Sequence, residues 1–269
     1  MKSEEFAIEL GKAWHKESNK SNFSEVQQFR ALMRSFASLR NNFDIEEFHG
    51  MKHQVYFNGE GTWKRTPARC EISDLLVVSY AKSKTSTRIR VTFIQAKKSN
   101  EKHNLCEYPQ KMIAPTNFKA NLEQWDLLSR RPEVLAIKPF NCRPNILKDA
   151  ILPSIGSIMV FHKNSSNLKN FFYVSADKLT PLSSPKNRFA KLKTLDGNSL
   201  REINGHKERV FACCIHTFAK SLYDLEIGTP VHHESGLSDL STLFQTNNLN
   251  YYPTISFCNI ISSYSTGDM

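Results

Sequence analysis

The sequence is short of acid. Its 269 residues carry 26 Asp and Glu against 36 Lys and Arg, a formal charge of +10. That balance favours phosphate-bearing partners, because Lys and Arg displace the counterions condensed around nucleic acid. Long apolar runs are missing as well. No stretch approaches the roughly 20 apolar residues that span a bilayer, and the opening MKSEEFAIELGKAWHKE lacks the continuous apolar core of a signal peptide. The reading is a cytoplasmic chain with no membrane partner. The six cysteines, at 70, 106, 142, 213, 214 and 258, contain no Cys-x-x-Cys pair. Zinc-finger spacing is therefore absent, and a secreted disulfide framework would be denser. The cysteines are expected to be buried, reduced thiols, and the His232-His233 pair to be solvated. There is no phosphate-binding glycine loop, so any ATP-coupled step would come from another chain. Internal repeats and low-complexity tracts are absent too.

What is present is enough apolar residue, 40% with 11% aromatic, to exclude disorder of the whole chain. The length suits one large domain, or a core with an appendage. Phe6, Leu10 and Trp14 recur at four-residue spacing and predict an amphipathic helix over 4–16. Ser24 is placed to cap a second helix over 25–39, striped by Val26, Phe29, Met33 and Phe36. A short strand is expected near 51–57. Residues 70–80 (CEISDLLVVSY) and 88–97 (RIRVTFIQAK), joined by the polar AKSKTST, read as an antiparallel hairpin. Further along, the pattern predicts a helix over 117–130 closed by Pro132, an irregular 132–155, and strands at 157–162 and 171–175. It then predicts a basic loop over 181–207, a long helix over 208–225 ended by Gly228 and Pro230, and a short helix near 237–245.

The hairpin carries the chemistry. Gln95 and Lys97 are two apart on a strand and share a face. Asp74 stands on the partner strand, 21 positions before Gln95. Asp74 is a hard oxygen ligand of the kind Mg²⁺ prefers, and the side-chain oxygen of Gln95 and the carbonyl of Ala96 add neutral oxygens. Lys97 is suited to hold an attacking water or to offset charge growing on a phosphate. Gln95 also directly follows the apolar run VTFI, where a polar side chain is costly without a purpose.

The spacing Asp74…Gln95-Ala96-Lys97, with the runs CEISDLLVV and FIQAKKS, resembles the PD-(D/E)xK nuclease superfamily, and within it the Mrr-like branch in which glutamine replaces the second acid. The resemblance covers about residues 23–100. Ser73 stands where many members have proline, and Gln95 leaves the site one negative charge short.

The resemblance implies an α/β fold: a restriction-endonuclease-like core of a mixed central sheet flanked by helices. That core is assigned to residues 1–190. Residues 191–269 are assigned to a helical C-terminal segment, packed on the core or at a dimer interface. It implies a metal-dependent endonuclease hydrolysing DNA phosphodiester bonds with Mg²⁺ or Mn²⁺, a restriction or anti-phage defence effector, with a homodimer and a regulatory partner protein as expected associations. The metal ligands would be Asp74, Gln95 and Ala96. Glu25, on the first core helix, or Glu71 would supply the missing charge; Glu71, three residues from Asp74, needs a bulge to face the site. Lys98, Arg65 and Arg69 are the nearest cations for a nucleic-acid backbone, with Lys64, Lys102, Lys111, Arg130, Arg131, Lys186, Arg188, Lys191 and Lys193 further off. The competing reading is a weak or inactive nuclease-fold subunit that binds nucleic acid or a partner protein.

Overall fold

The computed structural model describes residues 2–39, 43–44, 53–60, 67–82, 87–108, 111–138, 140–184, 187–231 and 256–260. Trp63, Lys64, Arg65, Lys186, His232-His233 and the helix expected near 237–245 lie outside the described residues.

In chain order the helices are α1 (Ser3–Asn19), α2 (Glu25–Ala37), α3 (Leu122–Arg130) and α4 (Ile215–Tyr223). The strands are β1 (Phe43–Asp44), β2 (Gln54–Phe57), β3 (Ala68–Glu71), β4 (Leu75–Lys82), β5 (Thr87–Lys102), β6 (Asn117–Asn121), β7 (Val134–Ala136), β8 (Gly156–Lys163), β9 (Lys169–Ser175), β10 (Leu179–Pro181), β11 (Phe189–Thr194), β12 (Leu200–Ile203), β13 (His206–Arg209), β14 (Phe211–Ala212), β15 (Thr229–Val231) and β16 (Ser256–Ile260). This is a mixed α/β protein with a mixed central sheet in the order β1-β16-β4-β5-β8-β9-β14, and β15 also pairs with β5. The expected hairpin is there: β4 and β5 are antiparallel in the register Leu75↔Ile94 through Lys82↔Thr87. β5 and β8 run parallel, Gln95 opposite Ile158 and Lys97 opposite Val160. A parallel pair needs a crossover, and α3 lies within it.

The sheet is buried on both faces. Leu75, Val77, Ile94, Ala96, Met159 and Phe161 point to the side covered by α1, α2 and α4. Leu76, Val78, Val91 and Phe93 point to the other, against β2, β3 and Leu127 and Leu128 of α3. The stripe predicted for α1 is fully buried, and the Trp14 ring stacks on Phe161 (5.7 Å) and meets Phe171 edge-on (5.5 Å). Ser24 caps α2 as expected, accepting from the Gln27 amide at 3.3 Å.

Four expectations need correction. The helix placed over 117–130 begins only at Leu122. Phe118 and Ala120 alternate inward as a strand paired with β11, and the side chain of Asn121 caps the helix by accepting from the Glu123 amide. The basic loop over 181–207 is largely strand. Asn204 and Gly205, both at positive φ, form the two-residue turn of the hairpin β12–β13, the geometry this dipeptide favours. The helix placed over 208–225 is confined to Ile215–Tyr223, because residues 206–212 are drawn into β13 and β14 by pairing with β12 and β9. Among the described residues beyond 190, strand positions outnumber the helical ones of α4, and position 190 lies inside β11. Finally, Cys70 and Cys142 are buried as expected, whereas Cys106 is exposed and Cys213 and Cys214 are half-buried.

No helix among the described residues is long and apolar enough to cross a membrane.

Gly156 opens β8 beneath α3. A Cβ built there would lie 2.5 Å from the carbonyl oxygen of Leu128 and 2.8 Å from its Cβ. Gly156→Ala therefore forces α3 away from the sheet. It should lower the unfolding free energy by about 1–3 kcal/mol, read as a shift of the urea midpoint at unchanged slope.

Candidate active site

The site forms where β4 begins. Asp74 stands one residue before the strand, and its amide donates to the carbonyl of Ile94 at 3.0 Å. The ladder between the two strands ends at Leu75↔Ile94, so Asp74 leaves it at the point where β5 continues into Gln95. The Asp74 carboxylate then turns onto β5: its Oδ2 accepts from the Ala96 amide at 2.7 Å. A charged acceptor makes that bond stronger than a neutral one.

Gln95 is completely buried. Its Nε2 donates to the carbonyl of Glu71 at 3.2 Å. That bond fixes which end of the amide is nitrogen, since a carbonyl needs a donor. The oxygen Oε1 is left buried with no hydrogen-bond partner. A buried polar atom without a partner costs about 1–3 kcal/mol, so this oxygen has an unmet demand for a cation or a donor.

Lys97 is only 8% exposed. Its ammonium donates to the carbonyl of Ala96 at 2.6 Å and lies 3.7 Å from Glu25 Oε1 at the start of α2. A buried ammonium costs several kcal/mol unless paired, and these two oxygens are what hold it. Glu25 is itself 42% exposed at its side chain, so the pair is partly screened by solvent.

Asp74, Ala96, Lys97 and Glu25 are linked by direct contacts, whereas the side chain of Gln95 bonds only the main chain of Glu71. Glu71 arrives differently: it ends β3, and what it gives Gln95 is its main-chain carbonyl. Its carboxylate lies near Cys70, whose thiol is pushed above its ordinary range by burial first, then by Glu123 and Glu71, and is drawn the other way by Lys97. A second acid, Glu123, also acts on that thiol. Glu123, in the first turn of α3, is 2% exposed and 3.9 Å from Arg188. Nothing in the sequence set it apart, because a glutamate in a helix's first turn is ordinary.

Of the nearby cations, the Lys98 ammonium sits 5.1 Å over the Phe23 ring, which Lys163 also approaches at 5.2 Å. Arg69 is exposed, lies over Tyr56 and bonds Gln54.

The donors at the hairpin end are all oxygens: a carboxylate, an amide oxygen and a main-chain carbonyl. Such a set suits a hard divalent cation such as Mg²⁺ or Mn²⁺ rather than a soft one, and the unsatisfied Gln95 Oε1 is the atom that most needs it. Comparison of the chain with protein-family models, with curated proteins and with solved structures finds no match.

Proposed function

We propose that the chain is a metal-dependent nuclease of restriction-endonuclease-like fold that hydrolyses DNA phosphodiester bonds at the Asp74–Gln95–Lys97 site. The observation that carries this reading is the buried, partnerless Gln95 oxygen beside an aspartate and a lysine at one hairpin end. The mixed sheet and the flanking helices support it, as does the +10 charge.

Asp74, Gln95 Oε1 and the Ala96 carbonyl would hold the cation. When bound, it would polarise the phosphate and lower the pKa of a coordinated water. The chain's own residues do the rest. The Ala96 amide orients the Asp74 carboxylate. Lys97, released from the Ala96 carbonyl, turns its ammonium toward the scissile phosphate and offsets the charge gathering on it. Glu25 keeps that ammonium at the site and limits its reach. Lys98 and Arg69 offer charge to the flanking backbone.

A second reading has an observation of its own. One Asp74 oxygen is engaged by the Ala96 amide, and the Ala96 carbonyl by Lys97. A chain in which those bonds never open would bind nucleic acid without cutting it.

Plasmid cleavage separates the two. With Mg²⁺ the protein should nick or linearise DNA, and EDTA should stop it. Asp74→Ala and Lys97→Ala should each slow cleavage by about 10²–10³-fold. Unchanged cleavage in either variant sinks the assignment, and salt-dependent binding with no cutting supports the second reading.

The Gln95 amide gives a test that does not require turnover. In Gln95→Glu a carboxylate oxygen replaces the nitrogen that donates to the Glu71 carbonyl, so two acceptors face each other. The variant should be less stable than wild type by about 1–3 kcal/mol in EDTA. Millimolar Mg²⁺ should restore more of its melting temperature than it adds to wild type. An equal response of both proteins to Mg²⁺ would show that no cation binds at this residue.

A further inference from the structure

A second constellation lies away from the hairpin end and has different chemistry. Cys106 sits in the single helical turn Leu105–Glu107 that follows β5. Cys213 and Cys214 lie at the junction of β14 and α4, where Cys214 is the N-cap residue. Cys106 is more than a hundred positions from the adjacent pair Cys213-Cys214, yet the three converge in space. The Sγ atom of Cys213 is 3.7 Å from that of Cys106 and 3.8 Å from that of Cys214, and all three sulfurs lie within 4.8 Å of one another.

Those distances are informative. They far exceed the roughly 2.05 Å of a disulfide. A tetrahedral zinc ion with Zn–S bonds of about 2.3 Å sets neighbouring sulfurs about 3.8 Å apart, the edge of the tetrahedron. Two of the three separations already have that value. Thiols merely packed in a core have no reason to gather three at one point, and no other such group of ligating side chains occurs among the described residues.

His162 is the candidate for a fourth ligand; its nitrogens lie outside the group of thiols within 4.8 Å of one another, so its ring would have to swing toward the sulfurs. His162, on β8, is 2% exposed, and its Nδ1 is 3.2 Å from the Lys163 carbonyl. The carbonyl can only accept, so Nδ1 carries the proton and Nε2 keeps its lone pair. Nε2 is buried without a hydrogen-bond partner. A histidine whose one nitrogen is oriented by a main-chain carbonyl while the other is left bare is the usual arrangement of a metal ligand. Burial pushes the imidazole down to about 4, and Cys214 acts on it in the opposite direction. His15 of α1 also feels Cys214, but its ring is not among the buried partnerless groups.

We propose that Cys106, Cys213, Cys214 and His162 form a structural zinc site. Binding displaces the remaining thiol protons to solvent and leaves three thiolates and a neutral imidazole on the ion. Thr217, whose hydroxyl is 3.5 Å from both Cys213 Sγ and Cys214 Sγ, stays as a hydrogen-bond partner of the sulfurs. The ion would tie three pieces of chain together: the segment leaving β5, the last turn of β8 and the start of α4. The proposal is independent of the nuclease reading, since it shares no ligand with the Asp74 site.

The test uses the full chain, purified under reducing conditions without chelator. Elemental analysis should find one zinc per chain, and the protein stripped of metal should take up one Co²⁺ with the strong thiolate-to-cobalt bands of tetrahedral coordination. X-ray absorption at the zinc edge of the wild-type protein should report three sulfurs and one nitrogen. This arm needs no variant and so does not depend on any variant folding. Cys213→Ser and Cys106→Ser should lose stoichiometric zinc, and His162→Gln should change the cobalt spectrum while His15→Gln does not. The proposal is overturned if fully reduced wild-type protein takes up neither ion stoichiometrically. It is also overturned if the absorption shell lacks sulfur, or if Cys213→Ser, folded by circular dichroism, retains its zinc.

Discussion

The structure of the hairpin end depends on one hydrogen bond, from the Ala96 amide to the Asp74 carboxylate. Up to Leu75↔Ile94 the two strands pair main chain to main chain. Past that point the side chain of Asp74 takes over as acceptor, which lets the chain leave the sheet toward β3 without orphaning the β5 amide. The same bond fixes the carboxylate against the one strand that also bears Gln95, Ala96 and Lys97. A carboxylate held by a main-chain amide has little freedom to reorient, so the position of the negative charge is set by the sheet register rather than by side-chain rotamers. Register is hard to change here. A one-residue slip of β5 would exchange Ile94 and Ala96, buried against the α1–α2–α4 layer, with Gln95 and Lys97.

The two donor sets obey different rules. The hairpin end offers oxygens on one strongly held strand pair. The Cys106–Cys213–Cys214 group, with His162 as its proposed fourth member, would offer sulfurs and a nitrogen from three separate pieces of chain. Oxygen sets of low charge bind hard cations weakly and keep room for water and substrate. Thiolate sets bind zinc strongly and serve to fasten chain segments. β5 connects the two, since it carries the oxygens in its second half and leads directly into the turn holding Cys106. An ion in the thiolate group would therefore restrain the exit of the strand on which the oxygen group is built.

What the sequence revealed was local and periodic. The four-residue stripe of α1, the Ser24 cap of α2 and the alternation in β5 are all short-range signals, and each matches the structure. The errors came where a longer-range partner decided. Phe118 and Ala120 fit a helix pattern until β11 claims them as a strand, although Asn121 was a legible cap one residue before the true helix. The run from Glu208 to Ala212 has helical spacing, yet β12 and β9 pair with it. Asn204-Gly205 was a hairpin signal in plain view, obscured by the basic residues around it. The thiol cluster had no such signal. Its members lie in segments that only the folded sheet brings together, and adjacent cysteines are not a metal motif by themselves.

Gln95 shows how a departure from a carboxylate can follow from the fold itself. At a position with no solvent exposure, an ionised glutamate would need every lone pair answered. Here one side of the group faces the Glu71 carbonyl, which can only accept. An amide resolves the conflict, because it presents a donor to that carbonyl and still presents an oxygen on its other side. The nitrogen thereby ties the end of β3 to β5. The residue is thus a structural link through one atom and carries a buried, partnerless oxygen as the other. Negative charge reaches this strand from the rim, where the half-exposed Glu25 faces the buried Lys97 ammonium.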